Sequence, residues 1–136
     1  MNAEIITIGT EILLGQIVDT NSVYLSEKLA KLGINVFYKT AVGDNLERIT
    51  NALKTGASRA DLLILTGGLG PTVDDITRQA VADFVEKKLI FHPEAFAKIK
   101  GFFKERNYKM PESNQLQACF PEGALILENL RGTAPG

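Results

Sequence analysis

Asp74 and Asp75 stand side by side a few residues after Gly67, Gly68 and Gly70, and Arg78 follows them by one turn of helix. The stretch Asp61–Thr77 reads DLLILTGGLGPTVDDIT: an apolar run at Leu62–Leu65, then a polar turn holding Gly67, Gly68 and Gly70, then the paired acids. Strand, glycine turn and helix start is a geometry in which exposed backbone N–H groups and the helix dipole can receive a phosphate. No lysine or arginine lies inside the turn. An anion cradle without cations but beside two carboxylates points to a divalent metal, since Mg²⁺ and Mn²⁺ take oxygen ligands and bridge to phosphate oxygens. Simpler accounts stand beside this one. The glycines also suit a tight connection needing φ > 0, and Thr72 with Asp75 fits a capping box. The turn is not a P-loop, because no Gly-Lys-Ser/Thr follows, and its glycines are too compressed for the dinucleotide fingerprint.

Other acids are spread along the chain. The segment Thr10–Asn21, TEILLGQIVDTN, reads as a long, partly apolar loop holding Glu11, Asp19 and Asn21, and such loops are often functional. Asp19 or Thr20 suits the cap of the helix that follows. Asp44 and Glu47 have capping-box spacing. His92, the lone histidine, reads as a turn residue, which disfavours a nucleophilic triad. Cys119 reads as a small buried residue. The basic run Lys98–Lys109, with Phe102 and Tyr108, reads as a solvated helix face rather than a nucleic-acid patch.

The elements that must position these residues alternate. Strands are expected at Ile5–Ile8, Ile34–Val42 and Leu62–Leu65, with Leu89–Phe91 a short edge strand and Ala124–Leu127 a last one. Between them, Leu25, Leu29 and Leu32 mark one helix, stopped by Gly33. Leu46, Ile49, Leu53 and Ala57 mark a second, and Ile76, Ala80, Val81, Phe84 and Val85 a third. Phe96, Ile99 and Phe103 mark a fourth that starts at Pro93. Glu112–Ala118 reads as a short helix. Alternation of this kind predicts an α/β domain with a mostly parallel sheet covered on both faces, whose ligands sit at the carboxyl ends of the strands. Gly9–Glu11, Gly43–Asp44 and Gly67–Asp75 all follow such ends.

At 136 residues, with 45% hydrophobic and 23% charged residues, one domain is the expectation. A net charge of -1 argues against wholesale nucleic-acid binding. The single cysteine fits a reducing compartment. No signal peptide is visible, and no apolar run approaches the roughly 18 residues of a membrane helix. A cytoplasmic location without membrane contact is expected.

Four motifs in order, GTEILLGQIVDTN (Gly9–Asn21), AVGDN (Ala41–Asn45), TGGLGPTVDDITRQA (Thr66–Ala80) and GTAPG (Gly132–Gly136), resemble the N-terminal domain of the CinA, or competence/damage-inducible, family. More distantly, GDN and GGLGPTVDDIT resemble the molybdopterin-binding domains of the MogA/MoaB and gephyrin type. The resemblance implies a three-layer α/β/α fold with a nucleotide or pterin-phosphate pocket at the glycine turn. It makes Asp44 and Asp75 the expected catalytic residues and Asp44, Asp74 and Asp75 the expected ligands of a divalent metal (Mg, Mn or Co). Thr10, Glu11, Asn21, Thr66, Gly67, Gly68, Gly70 and Thr77 become the expected phosphate- or nucleotide-binding residues. Asp74 stands where the molybdopterin group typically has a basic residue. The CinA branch is associated with metal-dependent hydrolysis of ADP-ribose to AMP and ribose 5-phosphate. The alternatives are molybdopterin-type binding or adenylyl transfer, or a non-catalytic binding and oligomerisation module of a larger nicotinamide-nucleotide deamidase. A small nucleotide ligand and a homo-oligomer are the expected partners. Family members continue past GTAPG, so residues 1–136 are expected to be a domain truncated at its C-terminal end.

Overall fold

A computed structural model describes residues 1–136. The chain groups into two compact units, Met1–Gly68 and Leu69–Gly136, where the sequence suggests one domain.

The first unit is built on β1 (Asn2–Ile8), the middle strand of a three-stranded sheet. Its neighbours β2 (Asn35–Val42) and β3 (Leu62–Thr66) both run parallel to it. Burial on both faces explains why β1 carries Ile5, Ile6 and Ile8 without polar alternation. Side chains alternate along a strand. Ala3 and Ile5 pack with Leu29 of α2 (Thr20–Lys31), together with Leu25, Ile34, Val36, Leu62 and Ile64. The opposite face, with Glu4 and Leu63, is covered by α3 (Leu46–Ala57), whose Gly56 lies directly against both side chains. Helix, sheet and helix make three layers in this unit, as expected. The helical stripes are narrower than their spacing suggests. Ile49 and Leu53 are buried, but Leu32 is exposed because it is the C-cap of α2, and Leu46 and Ala57 face solvent at the two ends of α3.

The long loop is not wholly irregular. Thr10–Leu13 forms a single turn of helix, α1, and Asp19 caps α2 by accepting from the Ser22 N–H at 2.9 Å. Asp44 is not the cap of α3; Asn45 is, through its side-chain oxygen and the Arg48 N–H at 3.0 Å. That frees Asp44 for a longer-range role.

In the second unit, α4 (Thr77–Phe84) begins later than the spacing of Asp74 and Asp75 predicts, and these two residues lie in the turn ahead of it. β4 (Leu89–Phe91) pairs antiparallel with β5 (Cys119–Pro121). Between them run α5 (Pro93–Glu105) and a 3₁₀ helix over Glu112–Ala118. Ala95, Ile99, Ala118 and Phe120 form the core, with Phe96, Phe103 and Met110 packed on it. The strand expected at Ala124–Leu127 does not form. Leu125 and Leu127 are exposed there, and the strand that pairs is Cys119–Pro121, leaving Cys119 half-buried rather than buried. The basic run is a solvated face as expected: Lys98 pairs with Glu128 at 3.0 Å, and Arg106 stacks on Phe102 at 3.6 Å. No helix is long and apolar enough to cross a membrane.

Candidate functional site

Because β1, β2 and β3 are parallel, their carboxyl ends share one edge of the first unit. The Gly9 N–H donates to the Val42 carbonyl at 3.0 Å, joining the exits of β1 and β2. Beyond this bond, Thr10 and Asp44 close a reciprocal clip. The Thr10 N–H and hydroxyl each donate to Asp44 Oδ2 at 2.8 Å, and the Asp44 N–H donates to Thr10 Oγ1 at 3.1 Å. Oδ1 of the half-buried Asp44 has no hydrogen-bond donor. On the other side of β1, Gly67 adopts φ +97° and lies so close to the end of β1 that a Cβ would overlap the Ile8 carbonyl oxygen. Only glycine fits there. Gly68 follows at φ +61°.

The remaining expected residues of this unit fall near the same strand ends. Asn21 donates from Nδ2 to Thr66 Oγ1 at 3.0 Å, tying the start of α2 to the end of β3. The Glu11 carboxylate folds back over Gly9, 2.8 Å from where a Cβ on that glycine would sit. Asp19 also accepts the Thr7 hydroxyl at 2.7 Å. Burial pushes the Asp19 carboxyl up, but the Ser22 and Thr7 hydrogen bonds, helped by the Lys39 charge, hold it below its ordinary value. Asp19→Ala removes both the helix cap and the Thr7 contact. We expect it to cost about 2 kcal/mol in denaturant unfolding; a change under about 0.5 kcal/mol would show that the cap carries no weight.

The second unit holds Gly70, Asp74, Asp75 and Thr77. Asp75 Oδ1 accepts from the Gly70 N–H at 2.8 Å, and Oδ2 accepts from the Thr72 N–H at 2.9 Å and the Thr72 hydroxyl at 2.6 Å. Desolvation raises its pKa, but the Thr72 and Gly70 hydrogen bonds, with the nearby Arg78 charge, leave it below the ordinary carboxylate value. Asp75 therefore shapes the turn with both oxygens. A Cβ at Gly70 would stand 2.5 Å from Asp75 Oδ2, so any larger residue there must displace the Asp75 carboxylate from its hydrogen bonds. Asp74 is exposed, and its side chain makes no hydrogen bond. Thr77 is buried at the first position of α4.

No three His, Cys, Asp or Glu side chains come together as a ready-made metal cage. Mg²⁺ commonly needs only one or two carboxylates when substrate phosphates and water complete its shell. The open Oδ1 of Asp44 fits that mode, whereas Asp75, with both oxygens engaged, fits it less well.

The chain as a whole is similar to known proteins. A family profile described as a probable molybdopterin binding domain matches residues 4–134. A solved structure, the protein CinA with unknown function from Thermoplasma acidophilum, superposes with a TM-score of 0.89 at 34% identity, over 99% of this chain and 79% of that one. The chain belongs to the CinA family of molybdopterin-binding-type domains. A relative from Caldicellulosiruptor saccharolyticus named as competence-damage inducible is 57% identical over the whole of this chain and 33% of its own length. The chain thus spans about a third of the curated relatives it matches. MoaB from Thermus thermophilus has the same α/β fold, with a TM-score of 0.57 at 25% identity over 82% of this chain and 68% of that one. The CinA-type match takes in both units.

Some buried polar residues have no local signal. Thr7 sits inside a buried strand, and Gln117 and Asn114 lie in a short helix with nothing to mark them as buried. A buried polar residue in an otherwise apolar element is the only cue, and it needs the fold to be seen.

Proposed function

We propose that the carboxyl edge of the first unit's sheet binds the diphosphate of an ADP-ribose-like nucleoside diphosphate sugar, which the chain hydrolyses to AMP and ribose 5-phosphate. The observation that carries this is the Thr10–Asp44 clip at adjoining strand ends, beside a β3 exit that only Gly67 can occupy. Open α/β sheets take ligands at this edge. Reciprocal bonding to Asp44 fixes the Thr10 hydroxyl, so the clip is set before a ligand arrives. Asn21 does the same for Thr66. The donors of the clip are spent within it, so the Thr66 hydroxyl, whose oxygen accepts from Asn21 and whose hydrogen is uncommitted, is the donor offered to a phosphate. Asp44 Oδ1 accepts no hydrogen bond, and in this reading it takes a proton from an attacking water. One water adds across the diphosphate: its oxygen bonds to phosphorus as the bridging P–O bond breaks. A divalent cation (Mg, Mn or Co), held chiefly by the ligand's own phosphates and water, would polarise the phosphoryl oxygens.

Incubation with ADP-ribose and each of the three metals, followed by chromatography, should give AMP and ribose 5-phosphate in equal amounts. Asp44→Asn should lower turnover at least tenfold while circular dichroism stays unchanged. No AMP with any metal, or full activity in Asp44→Asn, would overturn the reading. The family profile's description favours a second reading, a molybdopterin-type ligand at the same edge. That reading requires an adenylylated product from ATP, Mg²⁺ and molybdopterin.

A further inference from the structure

The outer face of α2 and the turn before it carry more apolar surface than a solvated face needs. Leu25, Leu29 and the buried Ser22 face the core of the first unit. On the other side Val23, Tyr24, Glu27, Lys28 and Lys31 are exposed, followed by Leu32 at the C-cap. The preceding turn adds Leu13, Leu14, Ile17 and Val18, each at least 52% exposed. That turn is ordered: the Gln16 N–H donates to the Glu11 carbonyl and the Thr20 N–H to the Val18 carbonyl, both at 2.9 Å. At roughly 100 Å² for each of its six exposed apolar side chains, segment 13–24 presents about 600 Å², the upper end of what a monomer shows as one patch. Leu32 brings the total near the ~800 Å² that each partner buries in a stable interface. No lysine or arginine precedes Lys28, while Glu11, Asp19 and Glu27 accompany the apolar residues, so an anionic lipid surface does not suit this face.

The charges on α2 instead complement themselves. Val23, Glu27 and Lys31 form one i±4 ridge and Tyr24, Lys28 and Leu32 the next, and the groove between such ridges receives a ridge of the same kind from a second helix. We propose that α2 and the turn before it form a two-fold interface between two copies of this chain, with the α2 helices packed antiparallel. In the register centred between Glu27 and Lys28, Glu27 meets the partner's Lys28, Tyr24 meets the partner's Lys31, and Val23 meets the partner's Leu32, each pair occurring twice. Leu32, at the far end of the helix, thereby reaches the apolar turn of the other copy. Lys28 lies over the Tyr24 ring, 5.1 Å from its centre, which keeps its charge on this face. A slip of one turn loses the match: one direction sets Lys28 against the partner's Lys31, the other against the partner's Val23. The interface does not depend on which ligand the sheet edge binds.

Sedimentation of the whole chain up to millimolar concentration should show a species of twice the monomer mass. Glu27→Lys and Lys28→Glu should each weaken association at least tenfold by setting like charges together, and Leu32→Gln should do the same by removing the apolar anchor. Mixing the Glu27→Lys chain with the Lys28→Glu chain should restore association to within threefold of wild type, because both charge pairs are then of opposite sign. The double variant should also recover, which no folding defect of a single variant can mimic. A wild-type chain that stays monomeric throughout overturns the proposal. So does a dimer indifferent to both charge reversals, or single variants that stay apart when mixed. Binding of the monomer to phosphatidylserine vesicles, abolished by Leu32→Gln, would assign the patch to a membrane and likewise overturn it.

Discussion

Gly67→Ala should lower the melting temperature by about 10 °C, on the order of 3 kcal/mol, and abolish ligand binding at the strand edge. Two costs combine at this position. The backbone sits at φ +97°, where an L side chain is strained, and the new methyl group would overlap the carbonyl oxygen of Ile8 at the end of the central strand. Neither atom can move alone. Ile8 belongs to a strand paired on both sides, and Gly67 follows directly from β3. Relief must therefore come from prising β3 away from β1 at the edge where Thr10 and Asp44 close their clip. Gly15→Ala separates the two costs. Gly15 also has positive φ, +69°, but nothing lies within 4 Å of its added Cβ. It should show only the backbone term, about 1 kcal/mol. Thermal unfolding of the two variants side by side decides the matter, and equal losses would mean that close approach to Ile8 adds nothing.

The chain's own pattern reveals β1 to β3 well, because Ile5, Ile6 and Ile8, and Leu62–Leu65, are apolar runs with turn residues after them. The Asp19 cap and the Gly33 stop are equally local and equally visible. Asp44 is different. Its spacing to Glu47 is that of a capping box, yet its partner Thr10 lies 34 residues earlier in the chain. No local rule can rank a distant hydroxyl above a neighbouring helix. Thr72 and Asp75 show a subtler failure. The Asp75 carboxylate does reach back to the Thr72 N–H, as in a capping box, but the Thr72 hydroxyl donates to Asp75 instead of accepting from it. Spacing alone cannot distinguish these roles, so it places the helix start too early. At Ala124–Leu127 an apolar run suggests a strand, whereas Cys119–Pro121 is what pairs with β4. Pairing is decided by what the partner strand offers, which is non-local information.

Arg59→Met should cost about 10 °C in melting temperature at pH 7 and much less in acid. The reason is Glu4, a carboxylate in the middle of β1 with its residue fully buried. Arg59 grips it with a fork, Nε to Oε2 at 2.8 Å and Nη2 to Oε1 at 2.7 Å, and the Thr40 hydroxyl adds a third bond at 2.6 Å. Gly56 leaves the room, since a Cβ there would come within 3.3 Å of Oε2. The Arg59 hydrogen bonds, acting against desolvation and with help from Thr40 and the Arg59 charge, hold Glu4 below its ordinary value of 4.5. A depressed acid pKa stabilises the fold above the unfolded-state value, and that contribution disappears as pH falls through the lower folded-state value. Without Arg59 the sign reverses: burial now favours the protonated acid, so the variant is hurt most where Glu4 must stay charged. The gap between wild type and variant should therefore be widest near neutrality and close as pH falls below about 4.5. Replacing both partners, Glu4→Leu with Arg59→Met, should recover most of the loss, because an apolar pair leaves no charge to solvate. Thermal unfolding of the three proteins from pH 3 to pH 7 tests this directly. An equal deficit at both ends of that range would assign the loss to the guanidinium's packing over the Tyr38 ring, 3.8 Å away, and not to the unpaired carboxylate.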